Sequence, residues 1–315
     1  MGTGTVQASS GRAGKVPAVR ALVTGAGGFV GKWLVEHLRD QGDEVVAVDR
    51  DVDVTDTSAV RTAVLDALPA AVYHLAALSH VGQSWDDPSA VVHVNTVGTS
   101  TVLDACARCP DLPTVLVVSS AEVYGRVASS RQPISEDEPL APVTPYAGSK
   151  AAAEMLAVQA HLGRGLPVVR VRPFNHVGPG QSEAFVVPAL ATRIVAAQRN
   201  GAPTIAVGNL SARRDLTDVR DVVRAYRLAV VHGIPGAVYN VCSGTSPSID
   251  EVARSLLRLA GAELDLEVDP TLARPADVPV VRGDPGRLHA ATGWVPRYAL
   301  EQTLTDVLDD CRRVV

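Results

Sequence analysis

Three glycines spaced three apart, Gly25, Gly28 and Gly31, sit in the stretch AVRALVTGAGGFVG (Ala18–Gly31) and constrain this chain more than any other feature. The apolar run Ala21–Val23 predicts a buried strand. Phe29–Asp40 predicts a helix with Val30, Leu34 and Leu38 along one face. A glycine turn between the two lets backbone approach a pyrophosphate, because the unpaired N–H groups and dipole at a helix N-terminus favour negative charge. Glycine spacing alone is shared with ordinary strand–helix turns. Here a second strand pattern, Glu44–Asp49 (EVVAVD), ends on an acid after the helix, and that pairing is the dinucleotide-binding signature.

Asp49 bears on which dinucleotide. A carboxylate at that point accepts bonds from the adenosine ribose hydroxyls and favours NAD(H). Against a 2′-phosphate it meets like charge, at about 1–4 kcal/mol for a few ångströms at surface-like dielectric. Arg50 stands next to it and can pair with that phosphate, so NADP(H) stays open. Beyond, Asp53 and Val54 are placed to flank the adenine.

Composition sets the outer limits. At 315 residues, with 46% hydrophobic residues and a net charge of −5, the chain suits one large α/β domain or one and a half, without the basic surface nucleic acid requires. Cys106 and Cys109 form a CxxC, but no second pair or histidine cluster completes a metal site, so no metal is expected. Cys242 and Cys311 are scattered, and buried thiols in a reducing cytoplasm are the expectation for all four. No apolar run reaches membrane-spanning length and no leader pattern opens the chain. Residues 1–17, rich in Gly, Ser and Thr over most of their length, read as a flexible extension.

Further strands are predicted at Ala71–Leu75, Thr114–Ser119 and Leu166–Arg172, which complete a doubly wound parallel sheet of the Rossmann type. A returning strand follows at Ala237–Cys242, and a long helical pattern over Pro88–Cys109 contains Asn95. After the third strand, Ala76 and Ala77 are small enough for close passage by the pyrophosphate and nicotinamide ribose. Ser79 and His80 follow within reach of a substrate, though His80 reads equally well as a solvated loop histidine.

A polar cluster, SSAEVYG (Ser119–Gly125), stands at the carboxyl edge of the fourth strand, where open α/β sheets place their chemistry. Pro145–His161 then predicts a helix opened by proline, with Tyr146 and Lys150 four apart on one face. A free phenol, with pKa near ~10, is a poor acid–base at neutral pH, and a neighbouring ammonium and a positive nicotinamide ring lower it. Past the fifth strand, Arg213 and Arg214 precede Asp215 and offer a guanidinium clamp for a substrate diphosphate.

Taken together these motifs resemble the extended short-chain dehydrogenase/reductase family in its nucleotide-sugar branch, over essentially all of Arg20–Arg312. Within it, RPFNHVGPGQ (Arg172–Gln181), VGNLSARRDLTDVRDVVRAY (Val207–Tyr226), AVYNVCSG (Ala237–Gly244) and TGWVP (Thr292–Pro296) look most like GDP-4-keto-6-deoxy-D-mannose reductases, with GDP-mannose 4,6-dehydratases next. The resemblance implies Ser120, Tyr146 and Lys150 as catalytic residues. Tyr146 exchanges a proton with the sugar oxygen at carbon 4, Ser120 hydrogen-bonds the same oxygen, and Lys150 holds the nicotinamide ribose. It implies cofactor contacts from Gly25, Gly28, Phe29, Val30, Gly31, Leu75, Ala76, Ala77, Asn95 and Pro173 as well. Asn175 anchors the sugar diphosphate with Arg214 and Arg274 as charge partners, Arg213 being the alternative to Arg214, and Ser79, His80 and Val186 join the substrate site.

Ala121 and Glu122 separate the possible chemistries. A 4,6-dehydratase in this family uses a carboxylate at the Glu122 position and a polar or acidic group at the Ala121 position, and Ala121 has nothing to donate. General acid help is worth about 100- to 10,000-fold, so the reading is a reductase of the 4-keto group. A 4,6-dehydratase and a 4-epimerase are the alternatives, and a non-catalytic dinucleotide sensor is a fourth reading. The expected organisation is a dinucleotide domain of residues 18–172 with about 215–242, and a nucleotide-sugar subdomain of about 173–214 with 243–315. Ala151, Ala152 and Met155 give the Tyr146 helix a small, apolar face of the kind that packs across a homodimer in this family, although packing within one chain explains it as well.

Overall fold

The computed structural model describes residues 18–272 and 278–314. Continuous apolar runs make strands buried on both faces, the condition for a parallel sheet. In chain order, β1 (Arg20–Thr24) leads through the glycine turn to α1 (Phe29–Asp40), β2 (Glu44–Val48), α2 (Thr57–Ala67) and β3 (Ala71–His74). The helical pattern predicted from Pro88 to Cys109 is divided: α3 (Pro88–Val92), one wide π turn (His93–Val97) and α4 (Gly98–Cys106). Beyond Cys106 the chain tightens, with Cys109 N–H bonded to the Cys106 carbonyl, and Pro110 follows.

After β4 (Thr114–Val118) comes α5 (Pro145–Arg164), which starts on the Thr144 hydroxyl and Pro145 and stops at Gly165 in the left-handed region (φ 68°). There follow β5 (Val168–Pro173), β6 (Asn175–Val177), α6 (Val186–Asn200), β7 (Thr204–Val207), β8 (Arg213–Arg214), β9 (Leu216–Asp218), α7 (Val219–His232) and β10 (Val238–Val241). The chain closes with α8 (Ile249–Ala260), β11 (Asp265–Val268), β12 (Val280–Val281), α9 (Gly286–Thr292) and α10 (Leu300–Val314).

The main sheet has six parallel strands in the order β10-β5-β4-β3-β1-β2. The order in which strands are added reverses between β1 and β3, so a crevice opens at the carboxyl ends of these strands, where such sheets bind ligands. One face is covered by α1 and α7 around Leu34, Leu38, Tyr226 and Trp294, the other by α2, α4 and α5 around Val60, Val102, Cys106 and Ala157. Burying a leucine such as Leu34 or Leu38 contributes about 1.5–3 kcal/mol. A separate apolar cluster joins α6, α8 and α10 through Leu190, Ile194, Leu256 and Leu308. Helix α9 lies against α7 and β10, and its Leu288 belongs to the cluster on the α1 side of the sheet. Among the described residues no helix is long and apolar enough to cross a membrane.

Candidate active site

The crevice begins at the glycine turn, and the turn has no room for side chains. Gly25 adopts φ +70°, and a Cβ there lies 2.7 Å from the Ala76 nitrogen. A Cβ on Gly31 falls 2.1 Å from the Gly25 carbonyl oxygen, and one on Gly27 falls 2.4 Å from an Asp49 carboxylate oxygen. Helix α1 starts at Phe29 with no side chain capping its first N–H groups. An uncapped helix start beside a bare turn, with a carboxylate over its rim, is a cradle that fits a dinucleotide's pyrophosphate and ribose. Asp49 lies just past the end of β2, half-buried, and Arg50 is exposed beside it.

Because its Cβ must displace backbone, Gly31→Ala is expected to lose about 1–3 kcal/mol at the turn. Read as dinucleotide affinity, that is about 5- to 150-fold, measurable by NADH fluorescence titration. Wild-type affinity in the variant would remove the turn from cofactor binding.

The far wall of the cradle is β3 and the loop after it. His74 is buried between two hydroxyls, 2.9 Å from Thr24 Oγ1 and 3.0 Å from Thr99 Oγ1, and burial pushes its imidazole down to about 3. It is therefore a neutral spacer between β1 and α4. Leu75 N–H bonds the Thr24 carbonyl, which holds Leu75, Ala76 and Ala77 along the crevice. Asn95 lies in the wall: its oxygen accepts the Leu78 N–H at 2.8 Å, and its amide donates to the Leu78 carbonyl and to Ser149 Oγ. Both amide hydrogens are thus engaged inside the protein, and the π turn is what aims Asn95 at Leu78. Asp53 closes its own turn by accepting from Thr55 N–H and Oγ1, while Val54 is buried against Gly98.

At the tip of β4 three sequence-predicted groups come together. Ser120 caps the short turn Ala121–Tyr124 by accepting the Glu122 N–H at 3.2 Å, and its hydroxyl lies beside the Tyr146 phenol. Tyr146 and Lys150, one turn apart on α5, are both buried (8% and 6% exposed) beneath that tip. Lys150 Nζ donates to the Val118 carbonyl at 2.8 Å.

The electrostatics differ from the lowered phenol that the residue pattern implies. Burial pushes Tyr146 up to about 12; the Ser120 hydroxyl opposes this and the Glu122 charge adds to it. Burial also lowers the Lys150 ammonium to about 8. With the ammonium directed at a carbonyl, desolvation dominates, and the phenol keeps its proton throughout the neutral range.

Substrate candidates gather along the other side of the crevice. Pairing of β6 with β9 sets Asn175 opposite Leu216, beside Asp215, and the Asn175 amide bonds the Asp215 carbonyl at 3.4 Å. Strand alternation separates the two arginines: Arg213 lies 3.4 Å from Glu251 on the α8 side, while Arg214 donates to the Val278 carbonyl at 2.7 Å. Arg274, the other predicted charge partner, lies outside the described residues. His80 accepts the Gln83 N–H at 3.0 Å and faces Phe185, with ring centroids 6.2 Å apart. That contact puts Ser79 and His80 across from the start of α6, where Val186 is exposed. Pro173, buried, ends β5 opposite Val241. Among the described residues no cluster of three or more His, Cys, Asp or Glu side chains could hold a metal ion.

Of the buried acids that the sequence does not single out, two bear on the site. Asp215 accepts from Ser243 N–H and Oγ, Gly244 N–H and Gly283 N–H, which fixes the loop after β10 beside Arg214. Glu154, fully buried on α5, pairs with Arg172. Its spacing from Lys150 was the available signal.

A doubly wound sheet with an open dinucleotide turn and a buried Ser–Tyr–Lys cluster at a strand tip defines an NAD(P)-dependent enzyme of the extended short-chain dehydrogenase/reductase class. The chain belongs to the NAD dependent epimerase/dehydratase family, which matches residues 21–242. It is 39% identical over 295 residues to the GDP-6-deoxy-D-mannose reductase of Pseudomonas aeruginosa, covering 92% of this chain and 96% of that one. Its structure is similar to that of RMD from Pseudomonas aeruginosa complexed with NADPH (TM-score 0.87, 37% identity, 94% and 99% of the two chains). It also resembles the UDP-glucose 4-epimerase of Thermus thermophilus in complex with NAD (TM-score 0.83, 29% identity, 94% and 99% covered).

Proposed function

We propose that this enzyme reduces the 4-keto group of a GDP-4-keto-6-deoxy-hexose, with Tyr146 as proton donor. The observation that carries the reading is the placement of Ser120, Tyr146 and Lys150 together, buried at the tip of β4, with the phenol held protonated by that burial. Reduction of a ketone to an alcohol consumes one proton at oxygen, so a group resting as an acid is in the right state to act. Bound NAD(P)H supplies the hydride to carbon 4.

Ser120 Oγ and the Tyr146 hydroxyl hold the substrate oxygen between them. As negative charge develops there, Tyr146 releases its proton and Ser120 donates a hydrogen bond to the same atom. The Lys150 ammonium, close below, stabilises the phenolate left behind and holds the nicotinamide ribose. Gly25, Gly28 and Gly31 with Phe29 and Val30 hold the pyrophosphate. Leu75, Ala76, Ala77 and Pro173 line the crevice, and Asn95 acts through the Leu78 backbone it fixes. Asn175 and Arg214, with Arg274, hold the sugar diphosphate, while Ser79, His80 and Val186 border the nucleotide sugar.

Glu122 raises the Tyr146 phenol and so favours the protonated, reducing form. Ala121 leaves a dehydratase without its acid, which supports reduction over dehydration. Asp49, over Gly27, supports NADH over NADPH. The exposed apolar residues Val92, Val97, Met155 and Leu162 on α3 to α5 support a homodimer across those helices, and four buried free cysteines suit the cytoplasm.

The test supplies GDP-4-keto-6-deoxy-mannose with NADH or NADPH and follows nicotinamide absorbance, with GDP-mannose and NAD in parallel. Stoichiometric oxidation with the first substrate, faster with NADH, is expected. Turnover of GDP-mannose alone would overturn the assignment.

A further inference from the structure

Helix α5 carries a third ionisable side chain that the proposed reaction does not use. Glu154 follows Lys150 by one turn, as Lys150 follows Tyr146, so the three share a face. Its carboxylate is fully buried and meets Arg172 in two bonds, Nε to Oε2 at 3.0 Å and Nη2 to Oε1 at 2.5 Å. Arg170 adds a bond at 3.2 Å from the same face of β5. The remaining Arg172 nitrogen, Nη1, donates to the Tyr124 hydroxyl at 3.0 Å and to the Glu136 carbonyl at 3.2 Å. Tyr124 in turn donates to Asn240 Oδ1 at 2.6 Å, and the Arg172 guanidinium lies 4.9 Å from the Tyr124 ring centroid. Asn240 N–H is held by Glu136 Oε1 at 2.7 Å.

Tyr124 is the last residue of the turn that Ser120 caps. One hydrogen-bonded path therefore runs from the catalytic helix through β5 to the loop bearing Ser120 and Glu122. We propose that Glu154, Arg172 and Tyr124 are positioning residues that set the separation between Ser120 and the Tyr146–Lys150 pair; this rests on the reductase reading of those three. A buried ion pair adds little net stability over an apolar packing of the same shape, because desolvation offsets the attraction. What it supplies is one geometry: a bidentate fork defines distance and angle, and a satisfied network in a low-dielectric interior resists displacement. Positioning of that kind matters to turnover, since a shift of about 1 Å at reacting groups costs on the order of 100-fold.

The experiment measures kcat per titrated NADH site in Tyr124→Phe, Glu154→Gln, Ser120→Ala and Tyr146→Phe, and in Tyr124→Phe combined with Ser120→Ala. Tyr124→Phe removes one oxygen and keeps the ring, so it carries the test if Glu154→Gln does not fold. It is expected to lower kcat about tenfold with NADH affinity unchanged. In the Ser120→Ala background the same change is expected to cost no more than about twofold, since the group it positions is gone. Full kcat in Tyr124→Phe, or an equal loss in both backgrounds, would overturn the proposal. Wild-type turnover in Ser120→Ala and Tyr146→Phe would instead sink the reductase reading, and the positioning role with it.

Discussion

Tyr146→Phe is expected to lower turnover about 100- to 10,000-fold, the range for loss of a general acid, while NADH binding stays within about twofold. The ring fills the same buried space, so packing is kept and only the hydroxyl that Ser120 contacts is lost. The proton must then come from solvent. Because the phenol rests near 12 while burial lowers the Lys150 ammonium to about 8, wild-type kcat should hold up to about pH 7 and fall as the pH rises past 8, where the neighbouring charge is lost before the phenol itself ionises. Steady-state kinetics with single-turnover controls separate this from slow product release. Unchanged turnover would remove Tyr146 from the chemistry.

Lys150→Met is expected to damage the enzyme and stabilise the fold together. Turnover should fall by about 100-fold or more, since the phenolate formed at Tyr146 loses its neighbouring charge. The dinucleotide-free protein should gain about 1–3 kcal/mol at pH 7, because a buried ammonium held by one carbonyl bond pays a desolvation penalty. The sign follows from linkage. Burial lowers the folded-state value from 10.5 to about 8, so the folded protein binds fewer protons between those values. Wild-type stability therefore rises with pH across that window, and the penalty is present in full below it. The methionine variant has no such rise, so its advantage should shrink from pH 7 to pH 10 in urea unfolding curves. An equal advantage at both pH values would mean that the lysine is not desolvated.

Much of this architecture is legible in the amino-acid sequence. Helix Phe29–Asp40 coincides with the observed element, because the glycine turn and apolar periodicity leave little choice there. The returning strand at Ala237–Cys242 pairs with β5 as the sheet's edge, shorter by a residue at each end. Periodicity does not reveal which polar side chains turn inward. Asn95 read as a crevice residue, yet its amide hydrogens are used on Leu78 and Ser149. Glu154 read as an unremarked position on a helix, because only the fold brings Arg172 of β5 against it. The direction of the Tyr146 shift was equally hidden, since a sequence shows the lysine four residues away but not where its ammonium points. Arginine pairs are the opposite case: once Arg213 and Arg214 are known to be strand, alternation alone assigns them to different sides.

Transfer of deuterium from NADH carrying two deuterons at carbon 4 gives the most direct measurement of the central claim. A Ser120–Tyr146–Lys150 site that reduces a 4-keto sugar must place the label at carbon 4 of the hexose, one per nicotinamide oxidised. A dehydratase or epimerase recycles its own cofactor hydride and consumes none. Label at carbon 4 with matching NAD formation is the predicted result; an unlabelled product, or product without net oxidation of NADH, would contradict it.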